Sequence, residues 1–157
     1  MWLVGSKADG RLLTRSSAGG VWGSFATHGA PTWDPQIPPS ITVEAGNRVV
    51  IGAVKANGLL YTRTYLRSVW RGFVRHGLDS WAGVSLDSSP GLIGLAATKD
   101  FGRLHTRWFS AGSWGSWTTH GFDTWSAVSA PSIAAGDGLP QVLAVKSAGT
   151  LFTRPFN

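Results

Sequence analysis

One nine-residue motif returns four times along the chain. Lys7–Arg15 reads KADGRLLTR, Lys55–Arg63 reads KANGLLYTR, Lys99–Arg107 reads KDFGRLHTR and Lys146–Arg154 reads KSAGTLFTR. Their closing arginines are 48, 44 and 47 residues apart. A second motif follows three of the copies: VWGSFATHG from Val21, VWRGFVRHG from Val69 and SWGSWTTHG from Ser113, each with one further tryptophan behind it, Trp33, Trp81 and Trp125. The 157 residues therefore divide into units of approximately 1–38, 39–81, 82–128 and 129–157, which leaves no segment for a second domain. A self-similar unit of ~46 residues restricts the fold to repeat architectures before any secondary structure is assigned.

The unit reads as strands. Glycines fall every few residues and no sustained 3.6-residue apolar period is present, which argues against helix. Ile51–Lys55 is short and apolar, Lys55-Ala56-Asn57-Gly58 and its copies are tight turns, and Leu59–Arg63 is the returning strand. Asp, Asn or Gly in those turns supplies the positive φ that a hairpin needs. Trp70–His76 reads as a further strand ended by Gly77, and Ser40–Ala45 or Ser132–Ala135 as a weaker first one. Along the third strand Leu12, Leu60, Leu104 and Leu151 share a face with Thr14, Thr62, Thr106 and Thr153, while Leu13, Tyr61, His105 and Phe152 occupy the other. Both faces are largely apolar, so both should be covered. Four short antiparallel strands covered on both faces and repeated every 40–50 residues describe a blade of an all-β propeller. The small residues two positions before each lysine, Gly5, Ala53, Ala97 and Ala144, mark where neighbouring blades approach.

The strand count is awkward for a ring. The first unit starts at a second strand, Trp2–Lys7, and the last stops after a third, so the sum is fourteen. Two chains could complete one ring, one chain could close a small ring with two thin blades, or the chain could be part of a longer propeller. An unclosed half ring exposes apolar faces and free edges, which favours self-association, with a homodimer the simplest case.

Composition removes several function classes. There are no cysteines, hence no disulfides, thiolate zinc sites or cysteine nucleophiles. Charged residues are 14% of the chain, against about 25% in an average domain. The eight acidic residues do not form a matched pair of the kind glycosidases use: Asp79 and Asp123 are repeat equivalents, one per unit, and Pro31 stands in their place in the first copy. His28, His76 and His120 are also repeat equivalents, so they fall on successive blades rather than converging on a metal. They read either as hydrogen-bonding residues at strand ends or as imidazoles that touch a ligand. His105 occupies a packed strand position. No calcium loop or phosphate-cradling glycine loop is present. An enzyme is not expected, nor any metal or cofactor. The net charge is +6 with a pI near 10.5. Eight of the fourteen basic residues are repeat positions, however, spread around a ring rather than gathered into the clustered footprint that nucleic acid requires. No apolar run approaches the ~18 residues of a membrane span. The N-terminal stretch lacks the apolar core of a secretion signal, which leaves the compartment open and export without a leader compatible with the sequence.

The tryptophans carry the strongest functional signal. Trp22, Trp70 and Trp114 recur once per unit with an aromatic three residues later, Phe25, Phe73 or Trp117. These read as wedge fillers between blades or as ligand platforms. Trp33, Trp81 and Trp125 lie past the His-Gly strand ends in loops, where core packing explains them less readily. An indole face stacks on the C–H face of a pyranose while nearby Asp, His or Arg holds the hydroxyls, and repetition compensates for weak single sites through avidity. The candidate ligand-binding set is therefore Trp22, Trp33, Trp70, Trp81, Trp114, Trp125, His28, His76, His120, Asp79 and Asp123.

The run K/R-x-x-x-G-x-L-x-x-R followed by x-W-x-x-W/F-x-x-x-G, as in Ala53–Gly77, Ala97–Gly121 and Ala144–Arg154, resembles the PLL-type β-propeller lectins of bacteria. The resemblance covers essentially the whole chain, which is about half the family's length and carries His-Gly where Leu-Gly is more usual. It implies a non-catalytic lectin with metal-free pockets between adjacent blades, taking fucose or O-methylated sugars. The alternative reading is a propeller scaffold for protein–protein interaction, or a substrate-targeting module.

Overall fold

The structure is a computed structural model that describes residues 1–122, 124–136 and 140–155. The four repeated turns fix its plan. In each, the glycine amide donates back to the lysine carbonyl (Gly10 to Lys7 2.9 Å, Gly58 to Lys55 2.8 Å, Gly102 to Lys99 3.0 Å, Gly149 to Lys146 2.8 Å). The glycines sit at φ 78°, 80°, 82° and 85°, the left-handed region that closes such a hairpin without a Cβ clash. At Gly58 the constraint is doubled, because a Cβ there would collide with the Ser80 side chain.

The hairpins build four antiparallel sheets. The first holds β1 (Trp2–Ser6), β2 (Leu12–Ala18) and the two short pieces β3 (Val21–Trp22) and β4 (Ala26–Thr27), both paired to β2. The second is β5 (Ser40–Glu44), β6 (Arg48–Val54), β7 (Leu60–Leu66) and β8 (Val69–Arg75), in that order. The third is β9 (Trp81–Ser89), β10 (Leu92–Lys99) and β11 (Leu104–Ser110), with β12 (Ser113–Trp114) and β13 (Thr118–Thr119) both on β11. The fourth is β14 (Ser132–Ala134), β15 (Gln141–Val145) and β16 (Leu151–Pro155). Thus the expected strands are present to within a few residues at their ends, and no helix forms among the described residues. The outermost strand differs between copies. It is continuous only as β8, which carries a register shift at Arg71–Gly72; the first and third sheets break at the same place, beside Gly23 and Gly115, whose amides donate to the Ser16 and Trp108 carbonyls at 2.9 and 2.7 Å.

Successive sheets pack on one another, and the core lies at their junctions. Leu12, Trp33, Ile51 and Ala53 form one cluster between the first and second sheets. Val54, Leu60, Trp81, Leu95 and Ala97 belong to the next, and Leu104, Trp125, Ile133, Val142 and Ala144 to the third. The small residues before the lysines therefore do lie at junctions in three of the four copies. Close approach recurs at Gly94, where a Cβ would sit 2.7 Å from Cδ1 of Ile133 and against the Trp108 ring. The inner strands are also cross-tied: Ser40 Oγ accepts from the Leu86 amide at 2.9 Å, Ser85 Oγ from Ile133 at 3.3 Å and Asp87 Oδ2 from Ala135 at 2.8 Å.

Burial ends at the outer members of the stack. Leu12, Leu60 and Leu104 have no exposed surface, whereas their fourth-sheet equivalent Leu151 is 59% exposed. On the first sheet, Phe25 is 54% and Trp22 37% exposed. One face of the first sheet and one of the fourth are open.

Candidate functional site

The repeat places a threonine–histidine pair at each junction, and at the first two junctions an arginine of the next sheet extends it into a chain. Thr14, Thr62 and Thr106 stand fourteen residues before His28, His76 and His120, and each Thr Oγ1 lies 2.7 Å from the imidazole Nε2. The other ring nitrogen faces the next sheet: Arg63 donates to His28 Nδ1 at 3.0 Å, and Arg107 donates to His76 Nδ1 at 3.1 Å. A guanidinium can only donate, so Nδ1 is the acceptor and Nε2 carries the proton toward threonine. These two histidines are therefore neutral. Burial, reinforced by Arg63, pushes His28 down to about 4, and burial with Arg107 pushes His76 down to about 3. His120 is lowered by burial and by Arg154 in the same way.

The same arginines organise the first set of tryptophans. Arg15, Arg63 and Arg107 lie over Trp22, Trp70 and Trp114 at 5.6, 5.7 and 5.6 Å from the ring centroids, and over Phe25, Phe73 and Trp117 at 5.2, 4.9 and 5.0 Å. Arg15 and Arg63 Nε donate to the carbonyls of Gly23 and Arg71 at 2.6 and 2.7 Å, and Arg107 reaches that of Gly115. Each guanidinium is thus locked between a bent outer strand and two aromatic faces. Trp70 and Trp114 meet His28 and His76 edge-on at 4.4 and 4.9 Å and keep part of their surface open; Trp22 is more open still.

Trp33, Trp81 and Trp125 are elsewhere. They are buried, at 2%, 2% and 8% exposure, so they do not offer the open loop platforms that the sequence suggests. The loop carrying each one is a strap between two hairpins. Trp33 donates its amide to Gly10 of its own sheet at 3.0 Å, while Thr32 O accepts from Ala56 and Asp34 N donates to Val54 of the next sheet, both at 2.9 Å. Trp81 and Trp125 repeat the pattern with Gly58 and Gly102. A loop that runs along the seam of two sheets is covered from both sides. The Trp33 and Trp125 indole N–H groups donate to the His28 and His120 carbonyls at 2.9 and 2.6 Å. Lys55, Lys99 and Lys146 lie 5.5, 5.6 and 4.0 Å from these ring centroids.

The middle junction departs from the others. Trp117 replaces Phe73 and stacks on Trp81 at 4.8 Å and 28°. His105, 6% exposed, packs edge-on against both rings at 5.5 and 5.9 Å, and burial, together with Lys99, holds its pKa near 4. Trp81 Nε1 and His105 Nε2 are buried without a hydrogen-bond partner among the described residues. Asp79 is about half exposed and pairs with Lys99 at 3.0 Å, outside the stacked rings. Asp123 lies outside the described residues. Among the described residues no three of His, Asp and Glu gather at one point, and no helix is long and apolar enough to cross a membrane.

Sequence reasoning spreads the repeated arginines around a ring without naming their partners. The signal lies in constant spacings. Fourteen residues separate each threonine from its histidine, and five separate each histidine from the tryptophan behind it, in all three copies. Fixed spacing through a loop is the mark of a packed register.

No protein-family model matches the chain, and no curated protein matches it. Among solved structures it is similar to BBS1N, determined in complex with ARL6DN, with a TM-score of 0.57 and 12% identity over 98% of this chain and 50% of that one. The likeness is one of fold: the chain is an all-β protein of the β-propeller kind and spans about half the length of that neighbour.

Proposed function

We propose that the protein is a non-catalytic, multivalent carbohydrate-binding protein, a lectin, with its sugar sites at the half-open tryptophans, two of them at sheet junctions and one on the open face of the first sheet. The observation that carries this reading is the threefold recurrence of an indole partly open to solvent beside a locked arginine: Trp22 with Arg15, Trp70 with Arg63 and Trp114 with Arg107. The indole offers an apolar plane to a sugar ring. Because Trp33, Trp81 and Trp125 are buried, this reading takes Trp22, Trp70 and Trp114 as the platforms. Fucose and O-methylated sugars are the first candidates, from the motif resemblance. In the same reading a second copy covers the open faces of the first and fourth sheets, since Leu151, Phe25 and Trp22 occupy positions that other copies bury or half-bury.

A glycan-array screen tests the ligand. Selective binding to a few sugars, lost in Trp70→Ala with Trp114→Ala and retained in Asp79→Asn, supports the site; a blank array removes it. Sedimentation analysis tests the assembly, and a monomer at micromolar concentration removes self-association. A scaffold function is the second reading, favoured by the structural neighbour having been determined in complex with ARL6DN. Pull-down of a protein partner with a blank array would select it.

A further inference from the structure

The face of the second sheet that meets the first carries one cation more than its equivalents. Residues opposed across β7 and β8 share a face, and on this one the pairs are Tyr65 with Trp70, Arg63 with Phe73 and Tyr61 with Arg75. Arg63 reaches both rings, 5.7 Å from the centroid of Trp70 and 4.9 Å from that of Phe73. Arg75 stands two residues beyond Phe73, about 7 Å further along the strand. The first and third copies have Thr27 and Thr119 at this position. Trp70, Arg63 and Phe73 are half-buried and Arg75 is exposed, so the row is open to solvent along its length.

Hydrogen bonding and charge narrow what this row can hold. Arg63 spends Nε on the Arg71 carbonyl and one Nη1 proton on His28 Nδ1, which leaves three of its five N–H groups without an acceptor among the described residues. Those two acceptors are thereby engaged. The ion pairs among the described residues lie elsewhere, Asp9 with Arg11, Glu44 with Arg48 and Asp79 with Lys99, so neither Arg63 nor Arg75 meets a carboxylate there. Burial already lowers the pKa of Arg63, which marks a guanidinium partly stripped of water with no counter-ion beside it. The row therefore offers an indole plane, N–H donors and positive charge. The hydroxyls of a neutral sugar need acceptors as well as donors. A carboxylate or sulfate needs donors alone, and its oxygens match the guanidinium fork.

We propose that this row binds an acidic saccharide, with a sugar ring stacked on Trp70 and its uronate or sulfate group held by Arg63 and Arg75. This rests on the lectin reading and narrows it to an anionic ligand class at the first junction. The neutral sugars suggested by the motif resemblance would bind here more weakly than the same rings carrying a negative group. Arg75 makes the first junction the strongest of the sites, because Thr119 stands in its place at the second. Arg71 is exposed as well, but its side chain lies on the opposite face of the sheet and takes no part.

The test is a titration of the full chain with two matched pairs of sugars, followed through the assigned indole N–H resonances by NMR. One pair is methyl fucoside and its sulfate ester; the other is methyl glucoside and methyl glucuronide. The acidic member should shift the Trp70 resonance and bind about tenfold more tightly than its neutral partner. That advantage should fade as salt rises from about 0.1 to 1 M. A preference within one pair alone supports the proposal and names the anion as sulfate or carboxylate. Arg75→Thr should lose the advantage severalfold. Arg71→Thr, which removes the same charge from the opposite face, should keep it, and circular dichroism should be unchanged in both. Equal affinity within both pairs overturns the proposal and leaves the lectin reading standing, whereas no binding of any sugar removes both. Equal losses in Arg71→Thr and Arg75→Thr also overturn it, since net charge alone would then be read. So does inorganic sulfate binding as tightly as the sulfated sugar, because the indole would then contribute nothing.

Discussion

The junctions inside the stack and the faces at its two ends are made of the same residues, yet they are physically different. Leu60 and Leu104 are sealed, while Leu151 is 59% exposed in the same motif position. Thr62 and Thr106 hold a histidine, while Thr153 is exposed. Arg63 and Arg107 bind an imidazole from the preceding sheet, while Arg15 bonds within its own sheet, to the Gly23 carbonyl. Burial here is therefore a property of adjacency. A single repeat contains half of each junction, so stability resides in the couplings between neighbours more than in the units.

The sharpest way to break this contrast is with tryptophan. Trp81→Ala should cost ~3–5 kcal/mol by urea denaturation, as for other buried large aromatics, while Trp22→Ala should cost under about 1 kcal/mol. Equal effects would mean that the open face is covered in solution. Leucine gives the next contrast: Leu60→Ala or Leu104→Ala should cost ~2–5 kcal/mol, and Leu151→Ala about 1 kcal/mol or less. If a second copy covers the fourth sheet, the Leu151→Ala cost should grow with protein concentration.

His76→Ala should destabilise by ~1–3 kcal/mol, because Thr62 loses its donor in a dry seam. Arg107→Ala should lose less, since Nδ1 of His76 is left as an acceptor while its threonine bond survives. The neutral histidines also set a pH dependence. Each is depressed below its ordinary 6.5 in the folded chain, so the unfolded state takes up protons first as pH falls. Stability should be full above about 6.5 and decline toward about 4 for His28 and about 3 for His76. The slope should approach ~1.4 kcal/mol per pH unit for each histidine that the folded chain keeps neutral. His76→Gln should flatten it; a melting temperature constant from pH 7 to 4.5 would contradict the assigned tautomers. Arg15→Ala should be the smallest effect, within about 0.5 kcal/mol, at an exposed cation–π site.

The architecture was legible because the repeats align. Lys-x-x-Gly at four sites gives four hairpins, and the strands between them follow. What alignment hides is the neighbour. Trp33, Trp81 and Trp125 look exposed when a loop is taken as surface, and only the straps between hairpins show them covered. The interruption of the outer strand at Gly23 and Gly115 was equally unreadable, since VWGSFATHG and VWRGFVRHG look alike until the glycine amides bond inward. Arg63 reaches thirty-five residues back to His28, a distance at which a motif search sees two unrelated conserved-looking features.

The straps have a mechanical meaning. Each ties two hairpins through short backbone bonds such as Trp33 to Gly10 and Ala56 to Thr32. Pulled from its ends, the chain would load these ties in series, one seam at a time, and the sheets would peel away singly rather than shear together. An extension trace should then show discrete steps of roughly one repeat, each releasing a buried indole as its seam opens.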